Sequence, residues 1–288
     1  MNATNFITLN TVENLNNLTQ DSSVMPQILS KDEIQRIAPM VYYKEPTNPH
    51  LSKYYTMAST ETVIDDIKRL GWEVVNCRIP RRTRRHTFGS MHMVVFQNPA
   101  VKVVKDDNVV VAYPRIILTN SHDGFCSFRF RVGLYRPDTD TFLIITSKNE
   151  DNFTIRHMGY TFEELRNLVN MAVDSIPTHI EVINKMRSRE LTDDERRKLA
   201  LAAIRSRRND PEYECSNVIL DMMLEPTRPE DAGNDLWTAF NIIHEKVMEG
   251  MFQFTGKNGK LRKARKITSI GKEISLNQSL FDAAASLI

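Results

Sequence analysis

This 288-residue sequence lacks any long apolar run. No stretch approaches the ~20 consecutive apolar residues that a membrane-spanning helix needs. Residues 1–23 have neither the basic start nor the continuous apolar centre of a secretory signal. With 41% hydrophobic and 26% charged residues, the composition is that of a soluble globular protein. We therefore expect a cytoplasmic protein with no membrane partner.

Cysteine is also scarce, with three residues far apart at Cys77, Cys126 and Cys215. An odd number of widely spaced cysteines argues against a disulfide framework and fits a reducing compartment. The sequence also contains no Walker phosphate loop, no nucleophile elbow and no HExxH zinc motif. We therefore expect no cofactor.

Acidic residues are absent from Val74 to Lys105, although the whole chain has a net charge of only +2. The basic residues collect in two segments, 78–85 and 257–272, and the second has seven Lys or Arg without one acidic residue. Closely spaced guanidinium groups repel one another, and a polyanion relieves that repulsion. Two basic patches on a nearly neutral chain therefore indicate located anion sites. The alternative is that the charges only keep exposed loops soluble.

The middle of the chain has the periodicity of strands. Residues 71–96 predict a hairpin with a basic turn, because β-forming residues flank the arginines on both sides. In residues 126–135 apolar side chains alternate with Arg129 and Arg131, which predicts a half-buried strand with a basic face. Residues 109–118 and 141–146 predict neighbouring strands. Their short connections make the sheet antiparallel and leave one face for a helix or a ligand.

Capping motifs predict helices on either side of this sheet. Ser30 and Ser59 precede two short helices, and Thr161 opens the longest one, which Pro177 is expected to bend or restart. Thr192 begins a helix whose charges of both signs are interpreted as a solvated face. Further apolar helices are predicted for the segments 236–250 and 276–288, with an exposed loop or hairpin between them.

Together these patterns predict an α+β protein, with a mostly antiparallel sheet that carries a basic hairpin and is backed by helices. The predicted organisation is a flexible N-terminal arm in residues 1–28, an α+β core in 29–190 and a mainly helical C-terminal region in 191–288 with a basic loop at 256–272.

The function that these patterns favour is nucleic-acid binding without a cofactor, with single-stranded DNA as the expected partner. Such binding needs cations that follow the phosphates and aromatic faces on which bases stack. The phosphate-binding candidates are Arg78, Arg81, Arg82, Arg84, Arg85, Arg129, Arg131 and Arg156, with Lys260, Arg262, Lys263, Arg265 and Lys266 as a second anchor. The base-stacking candidates are Phe88, Tyr113 and Tyr135, for which the alternative is an ordinary place in the sheet.

Two other functions remain open. His92, His122 and His157 fall in or beside predicted strands, and Asp123 follows His122, so folding can assemble an acid/base or metal cluster of the kind a metal-dependent nuclease uses. A structural or host-interaction role is the other alternative. In that role the N-terminal arm and the apolar C-terminal helix serve as contacts between copies of the chain.

Three segments carry a resemblance to a known family. They are residues 228–246 (RPEDAGNDLWTAFNIIHEK) with Ser275-Leu276-Asn277 beyond them, residues 118–124 (LTNSHDG), and Ile155-Arg156-His157. They resemble the phage/plasmid-like proteins catalogued as a domain of unknown function, over most of residues 50–288. The resemblance implies residence on phages, prophages or plasmids and no established activity.

A looser resemblance concerns the layout alone. A basic-faced antiparallel sheet followed by a long covering helix is similar to the core of phage single-strand annealing proteins, which assemble into rings or filaments. That resemblance implies a homo-oligomer that anneals single-stranded DNA during recombination or replication.

Overall fold

The computed structural model describes residues 6–8, 27–80, 89–104, 110–136, 141–145, 154–155, 161–256 and 258–288. The chain divides into two compact units, and the division lies between Pro177 and Thr178. The boundary predicted near residue 190 lies beyond this division. Among the described helices, none is both long enough and apolar enough to cross a membrane.

The first unit contains eight strands and two helices among its described residues, and the start of a third helix. Their bounds are β1 Phe6–Thr8, α1 Lys31–Ile37, a 3-10 turn Pro39–Tyr42, α2 Thr60–Arg69, β2 Glu73–Arg78, β3 His92–Gln97, β4 Lys102–Val104, β5 Val110–Asn120, β6 Phe128–Arg136, β7 Thr141–Ile144, β8 Thr154–Ile155 and α3 Phe162–Ser188.

The sheet is organised around β5. One edge of β5 pairs with β3 and β4, the other pairs with β6, and the remaining strands add to these three. The described pairings are antiparallel except that of β1 with β4, so the predicted α+β fold with a mostly antiparallel sheet is confirmed. Residues 112–120 of β5 and all of β3 are buried. Both faces are therefore covered at the centre of the sheet. The face that the sequence predicts to be open to a helix or a ligand is one of them.

The arms of the predicted hairpin are β2 and β3. They pair antiparallel from Glu73 opposite Gln97 to Arg78 opposite Met93. The basic turn, residues 81–88, lies outside the described residues. The predicted alternation in β6 is also confirmed, because its apolar residues are buried while Arg129 is exposed.

The helix starts follow the capping motifs. Ser30 and Ser59 cap α1 and α2 with their hydroxyl groups, and Thr192 forms a capping box with Glu195. The helix α3 continues through Pro177 without a restart. A proline removes one backbone donor from a helix, and this 27-residue helix accommodates that loss at Pro177.

The second unit is mainly helical over its described residues. Besides the end of α3 it contains α4 Asp193–Arg208, α5 Asn217–Leu224, a 3-10 turn Pro229–Asp231, α6 Leu236–Glu249, β9 Gln253–Thr255, β10 Leu261–Lys263 and α7 Ile270–Ala285. The predicted helical C-terminal region is thus confirmed, and β10 lies within the segment predicted as an exposed loop or hairpin, where it pairs with β9.

Phe240 of α6 lies at the centre of this unit and is 2% exposed. Its ring stacks on that of Trp237 and meets Phe281 of α7 edge to face, with ring centres 5.7 and 6.2 Å apart. These contacts place Phe240 in the core, while Trp237 is half-buried. The helix α7 begins at Ile270, earlier than predicted, because Ser269 caps it.

Candidate nucleic-acid interface

The last turn of α4 carries a cluster of arginines. Arg205, Arg207 and Arg208 lie there, where the helix dipole favours positive charge. Asn209 then takes a left-handed conformation, with φ of 53°, and the chain turns back on itself. As a result Arg205 Nε donates to the carbonyl oxygen of Tyr213 at 2.9 Å.

The hairpin formed by β9 and β10 is fixed to the end of α6. Gly250 ends that helix with a φ of +72°, and a Cβ atom at this position would lie 2.5 Å from the carbonyl carbon of Arg265. A glycine here therefore allows the backbone after β10 to approach the helix closely. Two backbone hydrogen bonds of 2.9 Å hold it there, from Ala264 N to Phe252 O and from Ile267 N to Met248 O.

Two hydrogen bonds tie the end of α4 to this hairpin. Arg207 Nη2 donates to the carbonyl oxygen of Arg265 at 2.8 Å. The backbone N–H of Thr255 donates to the hydroxyl oxygen of Tyr213 at 2.9 Å. The helix end and the hairpin therefore form the two walls of one site within the second unit.

Between these walls lies a cleft with a volume of about 680 Å³, which is within the range of small-molecule sites. We call it the basic cleft. It is lined by Arg207, Arg208, Phe252, Phe254, Arg262, Lys263, Ala264 and Arg265. Five of these residues are cations, two are aromatic and none is acidic. Carboxylates occur only beyond the lining in the described surroundings, such as Asp210 at 3.4 Å from Arg208.

Arg208 is held between two aromatic rings. Its guanidinium carbon lies 4.2 Å from the ring centre of Tyr213 and 4.7 Å from that of Phe254, within the range of cation–π attraction. Burial lowers the pKa of its neighbour Arg207, yet a guanidinium stays charged in proteins. The Nε atoms of both arginines are buried without an acceptor in the described structure. Unsatisfied buried donors of this kind often accompany a bound ion or water.

The second predicted anchor lies at this site. Arg262, Lys263 and Arg265 are exposed and line the basic cleft. Lys260 and Lys266 are exposed on the same segment but are not among the lining residues, and Lys266 pairs with Glu249 at 2.7 Å.

The first predicted anchor belongs to the other unit. Arg78 is half-buried at the end of β2 and Arg129 is exposed on β6. Arg131 donates to Thr119 Oγ1 at 3.0 Å, and burial lowers its pKa. The remaining members, Arg81, Arg82, Arg84, Arg85 and Arg156, lie outside the described residues.

The two predicted stacking residues that the structure describes do not share one open site. Tyr113 is 3% exposed because β5 is covered on both faces, so its ring is not available to a base. Tyr135 is half-buried, and the guanidinium of Arg115 lies 3.7 Å from its ring centre. Phe88 lies outside the described residues.

Sequence reasoning missed half of the basic cleft. The mixed charges of α4 predict a solvated face for its arginines, but in the structure the acidic residues lie only in the first turn of the helix. A useful signal was the acid-free sequence 205–208 (RSRR) at the helix end. Another was the pair Phe252 and Phe254 directly before the second basic segment.

In the first unit, the LTNSHDG segment builds a buried polar network around Thr60. The hydroxyl oxygen of Thr60 lies 2.7 Å from His92 Nε2, 3.2 Å from His122 Nε2 and 2.9 Å from Asn120 Nδ2. Ser90 extends the network, since its hydroxyl accepts from the backbone N–H of His122 at 2.6 Å.

The candidate nuclease residues lie in this network. His92 and His122 are fully buried and Asp123 is 4% exposed, and Asp123 Oδ2 accepts from the backbone N–H of Ser90 at 3.1 Å. In the described part of the chain, no group of three or more His, Cys, Asp or Glu residues is arranged to hold a metal ion. His157 lies outside it. These contacts favour a structural role for the motif.

Comparison with known proteins gives a family match. A family model described as "Domain of unknown function (DUF932)" matches residues 49–281. Two Escherichia coli K12 proteins, the UPF0380 proteins YfjQ and YafZ, are each 25% identical to the chain over 265 residues, which is 90% of this chain and 92% of the relative. No solved structure matches the chain significantly. The predicted family resemblance is confirmed, while the resemblance to annealing proteins stays a prediction.

Proposed function

This chain belongs to the DUF932 family, and we propose that it binds nucleic acid through the basic cleft of its second unit. The observation that carries the proposal is the composition of that cleft, in which five cations and two aromatic rings share about 680 Å³ without a carboxylate. Cations that follow phosphates, combined with aromatic faces, are the two requirements for binding single strands.

The arrangement of the charges supports binding more than solubility. Solubilising charges are normally dispersed and mixed in sign, as in the first two turns of α4, where Lys198 pairs with Asp194 at 2.6 Å. The cations of the basic cleft instead line one volume with no acidic residue among the lining, although Arg208 also pairs with Asp210 beyond it. Holding like charges together costs free energy, and a polyanionic ligand removes that cost. Arginine is well suited to binding such a ligand, because the N–H donors of its planar guanidinium group match the geometry of a phosphate.

A finer form of the proposal is that the protein anneals complementary single strands during recombination or replication of a mobile element. It follows from the predicted layout of a sheet with a long helix. This finer proposal also includes the predicted homo-oligomer, because annealing needs two strands held near each other and two copies of the chain can each hold one. Light scattering of the full chain and of a chain lacking residues 1–28 tests whether the N-terminal arm contributes to assembly.

The experiment is fluorescence anisotropy of a labelled single-stranded oligonucleotide at low and at high salt. The test variant carries Arg262→Gln and Arg265→Gln. The control carries Arg187→Gln and Lys272→Gln, two exposed residues of the same unit that do not line the cleft. Both variants lose two positive charges, so general electrostatic attraction falls equally.

We expect the test variant to bind the oligonucleotide roughly tenfold more weakly. The slope of log affinity against log salt concentration should become shallower by about 0.7 for each phosphate contact that is lost. The control should resemble the wild type. Equal affinity in the two variants would show that the cleft is not the binding site. No salt-sensitive binding by the wild type would instead favour the structural or host-interaction role. Adding the unlabelled complement in the same assay tests annealing.

A further inference from the structure

Phe254 differs from Phe252, the other aromatic residue that lines the basic cleft. Phe252 is 5% exposed and packs in the core, whereas Phe254 is half-buried and lines the cleft. In the register of the hairpin, Phe254 lies directly opposite Arg262, so the two side chains emerge on the same face of the hairpin. An aromatic ring beside an exposed guanidinium is thus presented to whatever enters the cleft.

The ring of Phe254 is also held in place before any ligand binds. Arg208 lies 4.7 Å from its centre and 4.2 Å from the centre of Tyr213. Tyr213 is fixed in turn, because its hydroxyl accepts from Thr255 N and its backbone carbonyl accepts from Arg205. A pre-organised ring loses little conformational entropy when a planar group stacks on it.

We infer that Phe254 is a stacking site for one unpaired nucleobase, with the flanking phosphates held by Arg262 and Arg265, so that the basic cleft selects single-stranded over double-stranded nucleic acid. This inference rests on the proposed function and names its ligand more closely. In a duplex both faces of each base are covered by neighbouring bases, so a duplex offers the cleft only its phosphates. An unpaired base has a free face for the ring.

The size of the cleft agrees with this choice. About 680 Å³ is in the range that encloses a drug-sized ligand, which is the scale of one or two nucleotides. A volume of this scale does not hold a duplex, so in this inference a duplex contacts the cleft only at its rim. The cations on the rim would then contribute to both ligands, while Phe254 would contribute only to the single strand.

The test compares Phe254→Leu, Phe254→Trp and the control Leu261→Ala. Leu261 is a 58% exposed residue of β10 that does not line the cleft. Each protein is titrated with a labelled oligonucleotide, once single-stranded and once as a duplex of the same sequence. Thermal unfolding verifies that each variant is folded.

We expect Phe254→Leu to weaken single-strand binding roughly tenfold and to leave duplex binding within about twofold. Phe254→Trp keeps an aromatic ring at this position, so it should bind the single strand as tightly as the wild type does. The fluorescence of its added indole should be quenched by the single strand but not by the duplex. Leu261→Ala should match the wild type.

If Phe254→Leu weakens the binding of single strand and duplex equally, or weakens neither, the stacking site is overturned. Salt-sensitive binding by the wild type would still support the proposed function. Absence of quenching in the Phe254→Trp variant would overturn it as well. If the wild type binds neither ligand, both the stacking site and the proposed function fail.

Discussion

The hydroxyl group of Thr60 donates a hydrogen bond to Nε2 of His92 across 2.7 Å in the core of the first unit. The direction follows from the other ring nitrogen, because Nδ1 of His92 lies 2.7 Å from the carbonyl oxygen of Ser90, which can only accept. Nδ1 therefore carries the proton and Nε2 accepts. The Thr60 oxygen is then left to accept from His122 Nε2 and Asn120 Nδ2. Neutral tautomers of both histidines satisfy all four contacts.

This assignment predicts that Thr60→Val destabilises the protein. Valine has nearly the same shape but offers no hydrogen bond, so the contacts of the Thr60 hydroxyl group with His92, His122 and Asn120 are lost. Each such loss costs about 1–3 kcal/mol, and we expect the free energy of unfolding in urea to fall by about 3 kcal/mol. The control is Thr62→Val on the exposed face of the same helix, which should change it by less than about 0.5 kcal/mol. Equal effects of the two substitutions would show that the network adds nothing.

The same network predicts a loss of stability in acid. Burial, and secondarily the neighbouring His122, lowers the pKa of His92 to about 3, while the hydrogen bond to the carbonyl oxygen of Ser90 and, less strongly, Asp123 oppose that shift. In the unfolded chain its pKa is about 6.5. Below pH 6.5 the unfolded state therefore binds a proton that the folded state does not. The free energy of unfolding should fall by about 1.4 kcal/mol per pH unit between pH 6.5 and about 3, with no contribution from His92 above pH 6.5.

Urea unfolding between pH 7 and pH 5 measures this contribution as a difference between proteins, because other groups titrate too. The wild type should lose more stability over that interval than a His92→Gln variant does. His50→Gln, at an exposed position, should behave as the wild type. Parallel curves for wild type and His92→Gln would contradict the assignment of a neutral, buried His92.

The fold could be predicted largely because its signals are local. Ser30, Ser59 and Thr192 cap helices through hydrogen bonds to residues three positions away, and the alternation in β6 reports the two faces of one strand. The burial of β5 could not be predicted in this way. Whether both faces of a strand are covered depends on which distant segments pack on the two sides of the sheet, and the local sequence of β5 does not identify those segments.

The candidate site shows the same division. The exposed cations of the hairpin are visible as an acid-free run in the sequence, and the structure places three of them at the basic cleft. The partner wall comes from Arg207 and Arg208, which lie far away along the chain and reach the hairpin through a helix end and a left-handed turn at Asn209. The charge pattern of α4 resembles a solvated face until that turn is known.

A further prediction concerns the ion pairs of the second unit. Arg228 donates to Asp231 and to Glu245, and the three side chains are 22%, 7% and 15% exposed. Replacing Arg228 by Met keeps much of the volume but leaves two largely buried carboxylates unpaired. We expect a loss of about 2 kcal/mol in the free energy of unfolding, measured by urea denaturation.

The matched substitution is Arg166→Met, which removes an exposed pair with Glu163 whose side chains are 48% and 61% exposed. Solvent screens such pairs, so the loss should stay below about 0.5 kcal/mol. If both substitutions cost the same, the Arg228 pairs are no stronger than surface pairs.

The last prediction tests how the hairpin wall of the basic cleft is held. In Gly250→Ala the alanine would have to adopt the left-handed backbone conformation of Gly250. Its methyl group would also lie 2.5 Å from the backbone of Arg265. The backbone conformation alone costs about 1 kcal/mol or more, and relieving the overlap moves the hairpin away from α6. We expect a loss of at least about 2 kcal/mol in stability and faster amide hydrogen exchange at Ala264 and Ile267, whose N–H groups bond across this contact.

Gly271→Ala is the control, because a Cβ there meets nothing within 4 Å and the residue lies in α7. Alanine favours a helix over glycine, so this variant should be as stable as the wild type or more stable by about 0.5 kcal/mol. Because the hairpin supplies Arg262, Lys263 and Arg265 to the cleft, Gly250→Ala should also weaken binding of a single-stranded oligonucleotide. Unchanged exchange at Ala264 and Ile267 would mean that the glycine contact does not position this wall.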